Sequence, residues 1–417
     1  MTRRIAGAYR ENYEGMMKAL HNERIATAIG RATIAYRQNV SRALAKFPHT
    51  VELANEVRKI KERSIQCWEK SVEEAMDNIA DNKGHAYFAR TADDARRLIS
   101  EIVGTKKVIV KAKSMTGEEI HLRQHLEASG NSVWETDLGE LILQLRDDEP
   151  MHILSPAVHV PKEDVSELFS KVMGRQIPPD IGVEVAAARE FLRQRYVEAD
   201  VGMSGANVVS ADTGALFIIE NEGNCRLATG FPPVHVALVG IEKLVPSLSE
   251  SFKTVEVTWR YAQYGVPSYM SMIAGPSKTG DIEKTTTYGA HGPRDLHVIF
   301  LDNGRSEMAK DEVLREALYC LRCGGCMYEC PIFSLVGGKF GYNYFIGYGA
   351  AWVAYVAGLE RAAPVAYTCL RCGRCVERCP VKIDTGKIIS KLRSLLFSGY
   401  KANDSGLSLD SRNSPQF

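Results

Sequence analysis

The chain has 417 residues, 45% hydrophobic and 25% charged, which is enough for two or three domains with sizeable cores. Its 52 Lys and Arg nearly cancel its 51 Asp and Glu, so no excess of positive charge points to nucleic acid. No apolar run approaches the roughly 20 residues that span a bilayer; the longest, at 350–359, reads as a buried helix, and membrane association would go through a partner.

The amino terminus carries Arg3 and Arg4, but Glu11 and Glu14 follow too soon for a twin-arginine signal, and no apolar stretch lies behind the arginines. The expected location is cytoplasmic, where thiolates persist. Residues 1–48 read as a charged helical arm with Ile25, Ile29, Ile34 and Val40 at helical spacing, and a helical stretch continues over 51–80. From Gly84 the rhythm changes to short strands between helices. Strands are expected at 107–112 and 132–136, with a helix at 118–129 closed by Gly130 between them. Further strands fall at 214–219, 235–240 and 296–301. This alternation predicts an α/β domain over 49–303 with a mainly parallel sheet. A boundary near Asn303-Gly304 precedes a cysteine-rich domain at 304–400, and the polar segment 401–417 is expected to be disordered.

Eight of the ten cysteines repeat one pattern: Cys320, Cys323, Cys326, Cys330-Pro331, and Cys369, Cys372, Cys375, Cys379-Pro380. Bacterial ferredoxins hold [4Fe–4S] clusters with this spacing, the fourth cysteine of each run ligating the other run's cluster. One cluster is therefore assigned to Cys320, Cys323, Cys326 and Cys379, the other to Cys369, Cys372, Cys375 and Cys330. A zinc site wants two separated pairs of ligands, and disulfide scaffolds belong to small secreted chains. The long connection from Cys330 to Cys369 predicts inserted helices, hence a mainly α-helical ferredoxin domain. Arg322, Arg371, Arg374 and Arg378 interleave with the ligands and can raise cluster potential or meet an acidic partner. Tyr342, Tyr344, Phe345, Tyr348, Trp352 and Tyr355 read as a seal that keeps water from the clusters.

In the α/β part, Lys111, Lys113 and Ser114 lie where a strand ends and a helix begins, the edge where open α/β sheets bind ligands. A lysine there can anchor a carboxylate; the plainer reading is solvated lysines and a capping serine. Gly202, Gly205 and Asn207 can form a tight loop beside a ligand. His121 and His125 are spaced for one helix face, but the metalloprotease pattern is absent and a solvated face is the better reading. Cys67 and Cys225 are read as buried free thiols. No Gly-x-Gly-x-x-Gly fingerprint for a nicotinamide or flavin dinucleotide appears in this segment.

Residues 111–120 (Lys-Ala-Lys-Ser-Met-Thr-Gly-Glu-Glu-Ile) and 135–144 (Glu-Thr-Asp-Leu-Gly-Glu-Leu-Ile-Leu-Gln) resemble the LUD domain, named for lactate utilisation. Residues 202–207, 213–224 and 234–243 follow in that family's order, and Leu301-Asp-Asn-Gly-Arg305 leads into the cysteine runs. The arrangement over about 45–395 is similar to the iron–sulfur component of the three-part L-lactate oxidation systems. The resemblance implies a fold like the CoA-transferase and ribose-isomerase superfamily, and an oxidoreductase subunit passing electrons from lactate through two [4Fe–4S] clusters without NAD. It also implies as partners a cysteine-rich subunit resembling heterodisulfide reductase and a second LUD-type subunit. Because no dinucleotide fingerprint appears in the LUD segment, a flavoprotein or other redox partner is expected to hold lactate's first electron acceptor. Lys113, Ser114, Asn207, Glu222 and His235 are the candidate substrate contacts, and His159 and His235 match the family pattern. Two other readings stand beside this one: an electron-wire subunit of another redox complex, or an acyl- or CoA-transferring enzyme using Glu222 as nucleophile.

Overall fold

A computed structural model of the chain describes residues 2–397, which divide into two compact units. The polar segment 401–417 lies outside the described residues. One unit comprises Cys67–Trp259 and Val266–Asp302; the other comprises Met1–Gln66, Arg260–Gly265 and the chain from Asn303 onward.

The first unit is α/β. Six parallel strands form its main sheet in the spatial order His85–Ala89, Asp295–Leu301, Val234–Gly240, Val201–Ser204, Val108–Lys111, Ser132–Glu135. Alternate side chains enter opposite layers: Ile109, Leu238 and Ile299 join Ile99 and Leu126 on one face, while Ala237, Val298 and Phe300 join Val72 and Ile79 on the other. Burial of both faces is why these strands read as continuous apolar runs. The strand expected at 214–219 forms as Leu216–Glu220, but in a separate four-stranded sheet, antiparallel to Val208–Ser210. The connection between the two is a tight turn with Gly214 at φ +65°, whereas a parallel return needs about a dozen residues. The helix expected at 118–129 is likewise two short ones, Met115–Glu119 and Leu122–Ala128, because His121 takes a left-handed φ of +50°.

The second unit is mainly helical. The helical stretch expected over 51–80 breaks at Cys67 into His49–Gln66 and Trp68–Asp81, which fall in different units. Helix Glu23–Lys46 buries Ile25, Ile29, Tyr36, Val40 and Ala43. Ile34, expected on that face, is 60% exposed; five residues beyond Ile29 it points about 140° away around a helix of 3.6 residues per turn. Between the cysteine runs lie Phe333–Val336, Ile346–Val356 and Leu359–Thr368, so the long connection is indeed helical. Trp352, fully buried in the second of these, donates its Nε1 hydrogen to the Ala317 carbonyl at 3.2 Å, satisfying the ring's polar atom. Two ionic braces tie the amino-terminal helices to the cysteine-bearing segments. Arg37 pairs with Glu329 at 2.7 Å, and Glu329 also holds Arg378 at 3.1 Å. Arg58 reaches Glu316 and the Lys382 carbonyl, each at 2.9 Å. Among the described residues no helix is long and apolar enough to cross a membrane.

Candidate metal centre

The eight patterned cysteines surround two cavities. One is lined by Cys320, Cys323, Cys326 and Cys379, with Tyr348 and Thr385. The other is lined by Cys330, Cys369, Cys372 and Cys375, with Gly347 and Thr385. Cys375 also borders the first, so the two cavities share a wall. None of the ten cysteines is joined in a disulfide. Among the described residues, no three His, Cys, Asp or Glu converge closely enough to hold one metal ion; the sulfurs enclose space instead of meeting at a point.

Burial dominates the thiols' chemistry. It pushes Cys323 up to about 12 and Cys330 and Cys379 up to about 11, and raises Cys326 well above the ordinary thiol range. Backbone N–H groups nevertheless aim at the sulfurs: those of Gly325 at Cys323, Ile332 and Phe333 at Cys330, Arg371 at Cys369, and Val381 and Ile383 at Cys379. The Arg322 N–H reaches Cys320 Sγ at 3.4 Å. Two hydroxyls join them, Tyr348 donating to Cys320 and Thr385 to Cys375. Donors converging on buried sulfur favour thiolate, the form that ligates iron.

At the carboxyl edge of the parallel sheet lies a separate charged cluster. Lys111 Nζ contacts Glu135 at 2.8 Å and Glu118 at 3.0 Å, with Lys111 and Glu135 each 2% exposed. Burial opposes the Lys111 charge, but the Glu135 and Glu118 carboxylates hold it protonated. Lys113 Nζ is held by Asp137 at 2.8 Å and the Leu154 carbonyl at 3.0 Å. Glu222 accepts from the Leu138 N–H at 3.2 Å, and burial together with nearby Asp137 raises its carboxyl. Glu220 accepts from the N–H groups of Cys225 and Arg226, closing the start of helix Asn224–Gly230. Each lysine here is matched by a carboxylate, so a carboxylate ligand would have to displace Asp137 from Lys113.

The chain matches the LUD domain over residues 72–301 and a 4Fe-4S dicluster domain over 316–383. It is 34% identical to Lactate utilization protein B of Shouchella clausii, over 95% of this chain and 80% of that protein. Identity to Lactate utilization protein B of Bacillus subtilis is also 34%, over 91% of this chain and 78% of the relative. The chain belongs to the lactate utilization protein B family. A solved DUF162 family protein from Deinococcus radiodurans aligns with 56% of this chain and 98% of its own, at 14% identity and a TM-score of 0.32. The dicluster domain carries two [4Fe–4S] clusters. The donor set fits them: two cavities, each bordered by at least four sulfurs and each with N–H or O–H groups aimed at those sulfurs.

Of the LUD-domain residues singled out by sequence, the structure brings Lys113 and Glu222 to one edge, linked through Asp137 and Leu138. Ser114 caps the Met115–Glu119 helix by accepting from the Gly117 N–H at 3.2 Å. Asn207 accepts from the Ile219 N–H at 2.8 Å and so belongs to the smaller sheet. His235 lies near the opposite, amino end of its strand, where burial lowers its ring to about 4 and Ser204 Oγ sits 2.8 Å from its Nε2. Gly202 is not in a loop: it lies within a strand, where a Cβ would come 1.7 Å from the Ala228 carbonyl oxygen. His121 and His125 are not partners, for His125 contacts Ser100 Oγ at 2.9 Å. His159 is tied to Asp148 at 3.2 Å, a hydrogen bond that holds the Asp148 carboxyl down to about 2. Cys67, expected buried, is exposed; Cys225 is a part-buried thiol pushed up by burial and by Glu220.

Sequence reading missed Glu140, which stands beside Glu135 and Glu118 at the same edge. Burial and those two charges push its carboxyl up to about 8. The folded domain therefore takes up a proton that the unfolded chain, with an ordinary glutamate, releases well below neutrality. That contribution to stability is full below the ordinary glutamate range and is lost as pH rises through about 8. Wild-type protein should lose up to about 1.4 kcal/mol of stability per pH unit across that window, and Glu140→Gln should flatten the slope. Denaturant melts at stepped pH measure it; an unchanged slope in the variant removes Glu140 as the cause.

Proposed function

We propose that this chain is the iron–sulfur electron-transfer subunit of a multisubunit assembly that oxidises lactate to pyruvate. The observation that carries the reading is the pair of adjoining cysteine-lined cavities in a chain whose relatives are named for lactate utilisation. Bound clusters supply one-electron storage. The ligands we assign are Cys320, Cys323, Cys326 and Cys379 for one cluster and Cys369, Cys372, Cys375 and Cys330 for the other, in keeping with the lining of each cavity. The chain's own residues exclude water and set the potential. Tyr344, Phe345, Tyr348 and Trp352 are buried, and the Tyr348 hydroxyl donates to Cys320. Oxidation of lactate releases two electrons and two protons, and the letter in the relatives' name fits a system of several proteins. The cysteine-rich subunit, the second LUD-type subunit and a flavin or other redox partner remain part of this proposal, as does a cytoplasmic location.

The decisive experiment uses protein purified without oxygen together with the subunits that stay bound. Adding L-lactate should bleach the cluster absorbance near 400 nm, as dithionite does. Bleaching by dithionite alone would reject lactate as the donor for that assembly. Within the chain, Tyr348→Phe should lower the reduction potential of one cluster and leave the other unchanged, because it deletes a hydrogen bond to one ligand sulfur. A potentiometric titration followed by EPR reads both values.

A further inference from the structure

The two cysteine runs share an identical pentapeptide, Cys-Leu-Arg-Cys-Gly, at 320–324 and again at 369–373. The backbone repeats as closely. Cys320 and Cys369 adopt φ/ψ of −59°/123° and −61°/124°, Arg322 and Arg371 have φ of +62° and +54°, and Gly324 and Gly373 have φ of +75° and +81°. Identical sequence in identical conformation should have similar surroundings, yet the surroundings differ sharply.

In the first copy, Leu321 is 7% exposed and Cys323 is buried. The Arg322 guanidinium lies over the Tyr344 and Trp352 rings at 4.6 and 4.3 Å. Gly325, the next residue, is roofed by Tyr36, whose hydroxyl would stand 1.9 Å from a Cβ there. In the second copy, Leu370 is 61% exposed, and Arg371 and Cys372 are exposed as well. The position matching Gly325 is Arg374, also exposed. Among the described residues, neither Arg371 nor Arg374 makes an ion pair, and Tyr367 adds a further exposed ring at 44%. The first copy thus shows what covers this motif, aromatic rings on the arginine and an apolar seat for the leucine. The second copy has the motif without its cover.

We propose that the surface formed by Leu370, Arg371, Cys372 and Arg374 is the docking face and electron port for a separate redox protein. That partner presents an apolar, aromatic-bearing patch to Leu370 and Arg371, and carboxylates to Arg371 and Arg374. Charge selects this occupant: two unmatched arginines on the face would repel each other's copies across a twofold contact and attract an acidic rim. Position supports the role, since Cys372 is the one exposed cysteine among the eight. One electron at a time crosses there between the chain and an iron–sulfur or flavin carrier. The inference rests on the electron-transfer reading above but not on lactate as the donor.

The test places the photo-crosslinker p-benzoylphenylalanine at Leu370 in the full chain, expressed in its own host. Leu335, 49% exposed on the same unit, serves as the control position. Irradiation should join position 370, and not 335, to another chain that itself holds a flavin or iron–sulfur centre. Adding Arg371→Glu and Arg374→Glu should cut that product at least about fivefold, with iron content unchanged. A crosslink to a second copy, to residues 398–417 of the same chain or to no protein would overturn the proposal. Stopped-flow reduction tests the port independently of any partner. The doubly charge-reversed chain should react several-fold more slowly with the dithionite radical anion and faster with the methyl viologen radical cation. Equal rates in both proteins would place the port elsewhere. If lactate fails to bleach the clusters while the crosslink forms, the substrate reading falls and this face stands.

Discussion

Cys379→Ser and Cys326→Ser will each remove one cluster, and the two changes together will remove no more iron than either alone. Both sulfurs line the same cavity although they come from different cysteine runs. Iron should fall from about eight to about four per chain in each single variant and in this double variant. Combining Cys326→Ser with Cys330→Ser should instead leave almost none, because Cys330 lines the other cavity. Iron and acid-labile sulfide analysis on protein prepared without oxygen reads the pattern. If Cys379→Ser with Cys326→Ser removed all the iron, each run would hold its own cluster and the interlocked assignment would fall.

Lys111→Met will destabilise the LUD domain by about 3–5 kcal/mol, because it leaves the buried Glu135 carboxylate without its counter-charge. The remaining cation within reach, Arg123, is 3.9 Å away and cannot replace a contact at 2.8 Å. Adding Glu135→Leu to the same chain should restore most of the loss, since a buried ion pair and an apolar pair of similar volume are often close in stability. Chemical denaturation of the three variants measures both effects. A small loss in Lys111→Met alone would mean that Glu135 is already protonated in the native domain.

The amino-acid sequence by itself determined the cofactor and much of the architecture. Eight cysteines at ferredoxin spacing name two clusters because the spacing is a property of the chain and of iron–sulfur geometry, not of distant packing. The largely apolar stretches at 107–112, 235–240 and 296–301 predict buried strands of a mainly parallel sheet for a similarly local reason, since burial on both faces favours apolar side chains at most positions. The order of LUD motifs carried the family.

Other features depend on residues far apart in the chain. The strand at Leu216–Glu220 joined a different sheet because of a tight turn, and Ile34 faces solvent because periodicity alone does not say which stripe of a helix is covered. At the sheet edge, charged residues read as open to a ligand are already paired: Lys111 with Glu135, Lys113 with Asp137. No spacing rule reveals such partners, which come from neighbouring strands. Tyr36 roofs a glycine almost 300 residues away, and its hydroxyl donates to the Tyr261 carbonyl at 2.9 Å. The repeated Cys-Leu-Arg-Cys-Gly shows the division most plainly. Sequence fixes the backbone turn and the ligand positions identically in both copies, because those depend on glycine, cysteine and local hydrogen bonds. Whether the leucine and arginine are covered depends on which distant helix packs against them, and that is decided only when the chain folds.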